Sequence, residues 1–169
     1  MRILISILWV TTLLLFGCRD ISSASTNVPL SFYIVSAEKI EGGRFIDTPD
    51  FPKLGHIPAV PVLVLTKLES VVADVSHEQV VIVNKDGKET VEPMKERMAF
   101  HIRMRPDDAK KFTALTEQAI SKQMLLMLGD TPLTAARVMT PISGQSLLLT
   151  IGAKTGTKTI EDGLRKLTK

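Results

Sequence analysis

Apolar and polar residues alternate from Met98 to Arg105 (Met-Ala-Phe-His-Ile-Arg-Met-Arg), the two-residue period of a strand with one buried face. Pro106-Asp107-Asp108 follows and predicts a helix start, because proline suits the first turn and early acids complement the helix dipole. Inside that helix Ala109, Phe112, Leu115, Ala119 and Ile120 recur at spacings of three and four and share a face. Next come a strand over Gln123–Leu128, a Gly129-Asp130 turn, a returning strand over Pro132–Met139, a Pro141-Ile142-Ser143-Gly144 corner and a strand over Ser146–Ile151. Thr159-Ile160-Glu161-Asp162 resembles a capping box with Asp in the place of Glu or Gln, and predicts a terminal helix whose Ile160, Leu164 and Leu167 lie together.

Upstream the signals are weaker. Leu30 to Ala37 reads as a strand around Phe32, Ile34 and Val35. Glu41 to Pro61 holds three glycines and four prolines with little periodicity, which predicts a long surface loop. Val60–Leu68 reads as a buried strand, and Val71–Val75 with Gln79–Val83 as an extended region. Lys85-Asp86-Gly87-Lys88 marks a tight turn between extended runs, since Asp-Gly supplies positive φ angles. The sum is one α+β domain over residues 29–169, a mixed or antiparallel sheet with two helices on one face and no internal repeat.

A chain of 169 residues with 44% apolar and 23% charged residues is long enough for one real core and too short for two. Basic residues exceed acidic ones by only 21 to 18, the lysines do not cluster, and aromatic residues are 5% of the chain, which argues against a nucleic-acid partner. The first 17 residues stand apart. Met1-Arg2 begins them, Ile3–Phe16 is a 14-residue apolar run, and Gly17 precedes Cys18, the layout of a secretory signal peptide. The run is shorter than the roughly 20 residues a spanning helix needs.

Leu15-Phe16-Gly17-Cys18 resembles the bacterial lipobox, although Phe16 is bulkier than that motif's usual residue. The resemblance implies cleavage before Cys18, a diacylglyceryl thioether on its sulfur and an N-linked acyl chain such as palmitate. Several acyl chains together hold a protein firmly on a membrane. Cys18 is the only cysteine, so no disulfide partner competes for it within the chain. Arg19 stands where an Asp would imply retention at the inner membrane, so the resemblance favours the outer membrane, facing the periplasm. Residues 19–28 are small and polar and are expected to form a short tether.

Candidate chemistry is sparse. His56, His77 and His101 lie far from one another and from Cys18, so no zinc spacing is present. His77-Glu78 would diverge on a strand, and His101 falls on the polar phase of its strand. Six methionines follow the leader, but Met124 and Met127 would face opposite sides, and Met98 and Met104 are well separated along one face; core filling explains them better than copper. No Gly-x-Ser-x-Gly elbow occurs, and Gly152-Ala-Lys-Thr-Gly156 lacks the phosphate-loop spacing. Asp107/Asp108 and Glu161/Asp162 sit at helix starts, where capping accounts for them. The expectation is no catalytic residue, no metal ligand and no cofactor; Cys18, as the lipid attachment point, is the single site residue.

Ala109-Lys-Lys-Phe112-Thr-Ala-Leu115-Thr116, then Met124–Asp130, Val138–Ile142, Gly144, Ile151-Gly152 and Ile160-Glu161-Asp162-Gly163-Leu164 resemble the head of the first periplasmic domain of SecD, the accessory subunit of the protein-export translocon. Asp108 stands for that family's Gly, and Gly163 for its usual Ala, which is expected to weaken the last helix. The likeness spans about 70 residues and lacks the family's transmembrane helices. It implies a SecD-head-like module that contacts a polypeptide partner of unknown identity, without catalysis. The alternatives are an envelope assembly lipoprotein docking to a folded complex, and a lipoprotein binding a small molecule or metal. The partners implied are the membrane, through lipid on Cys18, and a protein.

Overall fold

The computed structural model describes residues 28–78, 81–83, 89–91, 95–152 and 156–169. Cys18, the leader and the tether up to Asn27 lie outside them, as do the Lys85–Lys88 turn and Ala153–Thr155. Two antiparallel sheets carry the structure. The first has the order β10-β9-β1-β4, from β1 (Leu30–Val35), β4 (Leu63–Leu65), β9 (Gln123–Leu128) and β10 (Thr131–Arg137). The second has the order β11-β8-β5, from β5 (Ser70–Glu78), β8 (Lys95–Arg103) and β11 (Ser146–Gly152). Two hairpins complete the strands: β2 (Arg44–Thr48) with β3 (Phe51–Ile57), and β6 (Val81–Val83) with β7 (Glu89–Val91). The α+β class and the two helices on one face of a sheet are as the sequence implies. The strands divide between two sheets rather than one, and every pairing among the described residues is antiparallel.

Helix α1 (Pro106–Gln118) opens on Pro106 with Asp107 and Asp108 in its first turn. Its buried stripe is Ala109, Phe112 and Thr116, and it ends before Ala119 and Ile120. Ile120 is therefore outside the helix and exposed, a correction to the sequence reading. Helix α2 (Thr157–Lys166) starts earlier than the capping-box pattern implies. Gly156, in left-handed backbone, is its N-cap, and no side chain caps it. The Thr159–Asp162 signature thus lies inside the helix, where Glu161 pairs with Arg165 at 2.8 Å, one turn along.

Both helices pack on the same face of the first sheet. Phe112 of α1 meets Phe32 of β1 with ring centroids 5.0 Å apart. On α2, a Cβ at Gly163 would come within 2.6 Å of the Leu128 side chain of β9, so the glycine lets that helix lie close to the strand. The inner face of the second sheet closes the same core with Phe100, Ile102 and Leu149. Thr116 is buried in it and satisfied, because its hydroxyl donates to the Thr113 carbonyl and accepts from the Ile142 amide.

The expected 41–61 loop is instead the β2–β3 hairpin, which covers the other face of the first sheet. Ile46 and Ile57 pack there on Tyr33, Leu125 and Met127. The prolines hide this from a periodicity reading. Pro49 falls in the connection and Pro52 in a strand that pairs on the β2 side, where an edge tolerates it. Ser36 and His56 exchange two backbone hydrogen bonds of 2.8 Å, which stitch β3 to the end of β1. Arg44 reaches across to Asp130 at 3.1 Å and to the Met127 sulfur at 3.2 Å. Val60–Leu68, read as one strand, contributes only the short β4.

Candidate functional site

Each sheet has two outer edges, and an edge offers backbone N–H and C=O groups that another chain can take up. Three of the four are blunted. β4 is 3 residues long. β5 carries exposed Asp74, and Leu68 just before it donates to the Leu167 carbonyl at the end of α2. β10 carries Pro132 and Arg137, with a register shift between Pro132 and Thr134.

β11 has none of these protections. Its seven residues, Ser-Leu-Leu-Leu-Thr-Ile-Gly, include no charge and no proline, and they pair with β8 in unbroken register from Ser146↔Arg103 to Gly152↔Arg97. The direction of its backbone groups follows from one bond. The Met104 amide donates to the carbonyl of Gln145, directly opposite, at 2.7 Å. Antiparallel alternation then turns Leu147, Leu149 and Ile151 toward β8 and leaves the N–H and C=O of Leu148 and Thr150 on the outer edge. Among the described residues no strand pairs with that edge.

Beside it a cavity of about 330 Å³ opens between the two sheets. Phe32, Phe112 and Ile142 line it, with Thr134 and Ala136 on the β10 side and Leu147 to Thr150 along the β11 edge. Met139, also part of the lining, is 73% exposed, and an unbranched thioether there can adapt to different shapes. The volume falls at the lower end of the roughly 300–1,000 Å³ of ligand sites. Thr116 holds the Ile142 amide, so α1 fixes the corner that bounds this opening.

The residues weighed for other chemistry are scattered. His101 is exposed on the outer face of the second sheet, as its phase implies. His56 packs on Phe45 with ring centroids 4.9 Å apart. His77 and Glu78 fall in β5, and their side chains are outside the description. Met124 and Met127 do enter different clusters. Asp107 and Asp108 pair with Lys110 and Lys111 along α1 at 3.8 and 3.5 Å. Among the described residues no three His, Cys, Asp or Glu side chains gather to hold a metal. The sequence reading missed the β11 edge. Its signal was available in a seven-residue strand without charge or proline, but which strand ends up on an edge is a property of the sheet order.

No protein-family model and no curated protein sequence matches the chain. Among solved structures it is similar to SecDF in a "Super-membrane-facing form", at 17% identity and a TM-score of 0.49, over 84% of this chain and 19% of that one. It is also similar to SecDF described as a membrane component that enhances protein export, at 17% identity and a TM-score of 0.47, over 83% of this chain and 63% of that one. The chain thus spans less than two thirds of either structure. At this level of likeness no activity transfers, and the functional argument rests on the chain's own geometry.

Proposed function

We propose that this chain is a bacterial envelope lipoprotein, anchored through lipid on Cys18 and facing the periplasm, with the outer membrane as its favoured site. Its folded part is a non-catalytic module, comparable in role to the SecD head its second half resembles, that takes up an extended segment of another polypeptide. The observation that carries this reading is the free edge of β11, where the Leu148 and Thr150 backbone groups lie beside an apolar cavity. An extended guest would satisfy those groups as an added strand while its side chains enter the cavity. Among the described residues no helix is long and apolar enough to cross a membrane, so the lipid would supply the attachment.

Thr150→Pro tests the edge. Proline there removes an outward N–H and leaves the bonds to β8 in place, so the protein should stay folded by circular dichroism. Binding of an unfolded model protein, followed by titration or cross-linking, should fall to background; undiminished binding would remove β11 from the reading. Cys18→Ser tests the anchor, and should move the protein from the membrane fraction to the soluble periplasmic fraction.

A second reading, an assembly component docking to a folded complex, draws on Val60, Val62 and Val64, which are 73%, 46% and 40% exposed along one side of the β4 segment. Cross-linking in cells separates the two: many secreted clients support strand capture, and one stable partner supports docking.

A further inference from the structure

Resting on the strand-capture reading, we infer that the β11 site selects its guest by period: apolar side chains at every second position, with polar residues between them. The two sides of the edge differ in kind. Leu147 and Leu149 project with Ile102 and Phe100 into the core side, where the 330 Å³ cavity opens. Leu148 and Thr150 border the cavity along the strand edge, but by alternation their side chains fall on the opposite face, in cross-strand rows with His101 and Val72, and with Ala99 and Asp74. The Leu148 row faces water; in the Thr150 row Asp74 does, while Thr150 is half-buried and Ala99 is covered. His101 and Asp74 are exposed, Val72 is 57% exposed and Leu148 59%.

A strand added to β11 sends successive side chains to these two sides in turn. Every second guest side chain meets the cavity with its lining of Phe112, Ile142 and Ala136, and leaves water there. The intervening ones stay largely hydrated, beside exposed Leu148 and half-buried Thr150. A contiguous apolar run gains little over the alternating one, because half of its side chains remain in water. An apolar helix cannot use the edge at all, since its N–H groups are already bonded internally. A fatty acyl chain fits the apolar lining but has no N–H to offer Leu148 or Thr150. The ligand class is therefore an extended, amphipathic polypeptide segment of strand type.

The test uses the full-length protein in detergent and two fluorescent peptides of identical composition, leucines and serines with a lysine at each end. In one the leucines alternate with serines; in the other they are contiguous. Fluorescence anisotropy should show the alternating peptide binding at least about tenfold more tightly, given that each misplaced leucine loses its burial. Ala136→Phe, on the β10 side, narrows the cavity while leaving the β11 sequence unchanged and should erase that preference. Ala136 is exposed at the cavity mouth, so the larger side chain displaces no core packing. Equal binding of both peptides by the wild type overturns period selection while leaving strand capture standing. No binding of either overturns strand capture itself. Displacement of bound peptide by decanoate would make the cavity an acyl-chain site and overturn the inference as well. The wild-type comparison decides even where the variant fails to fold.

Discussion

Phe112→Ala is expected to lower the stability of the protein by about 3–5 kcal/mol, the range for removing a buried aromatic ring. Phe112 is fully buried, and α1 is held to the first sheet through its ring, 5.0 Å from that of Phe32 and tilted 50°. One feature places the loss toward the upper end. The ring already borders the 330 Å³ cavity, so its removal enlarges an opening rather than a sealed void that neighbours could close. Since domains of this size are stable by roughly 5–15 kcal/mol, the substitution removes a large share. Urea unfolding followed by far-ultraviolet circular dichroism measures it. Phe112→Leu should cost appreciably less, because most of the apolar volume stays. A loss below about 1 kcal/mol for the alanine variant would mean that Phe112 is not central to the core.

Gly55→Ala is expected to loosen the β2–β3 hairpin at its seam with β1. Gly55 has φ +130°, a conformation that side chains rarely adopt, and a Cβ there would lie 2.6 Å from the Ser36 carbonyl oxygen. That oxygen is the one that accepts the His56 amide at 2.8 Å. Backbone strain and overpacking each cost about 1–3 kcal/mol, and here they fall on the bond that stitches the hairpin to β1. Hydrogen exchange should show lost protection at Ser36 and His56, with the amides of β8 and β11 protected as before. Unchanged protection at those two residues would disprove the role given to Gly55.

Legibility along the chain follows the locality of the forces. The β8–α1–β9 stretch was readable because alternation, a proline at the first helical turn and early acids act within a few residues of one another. The hairpin was not, because the burial of Ile46 and Ile57 depends on a sheet face built from β1 and β9, the latter more than 60 residues further on. The glycine at 163 reads in the sequence only as a cost to the helix; that it also lets the helix approach Leu128 depends on a residue of another strand. The candidate site was the least legible part. Leu148 and Thr150 look like any strand residues until the order β11-β8-β5 puts them at the rim.

Strand β9 has a consequence of its own. Its Leu126 and Leu128 belong to one apolar cluster, and its Leu125 and Met127 to the other. The strand is thus a party wall, and neither cluster can dissolve without stripping half of it. The hairpin side and the helix side should therefore melt as one cooperative unit, with a single heat-absorption peak. If the proposed strand capture holds, a tug on the guest would be resisted by the molecule as a whole.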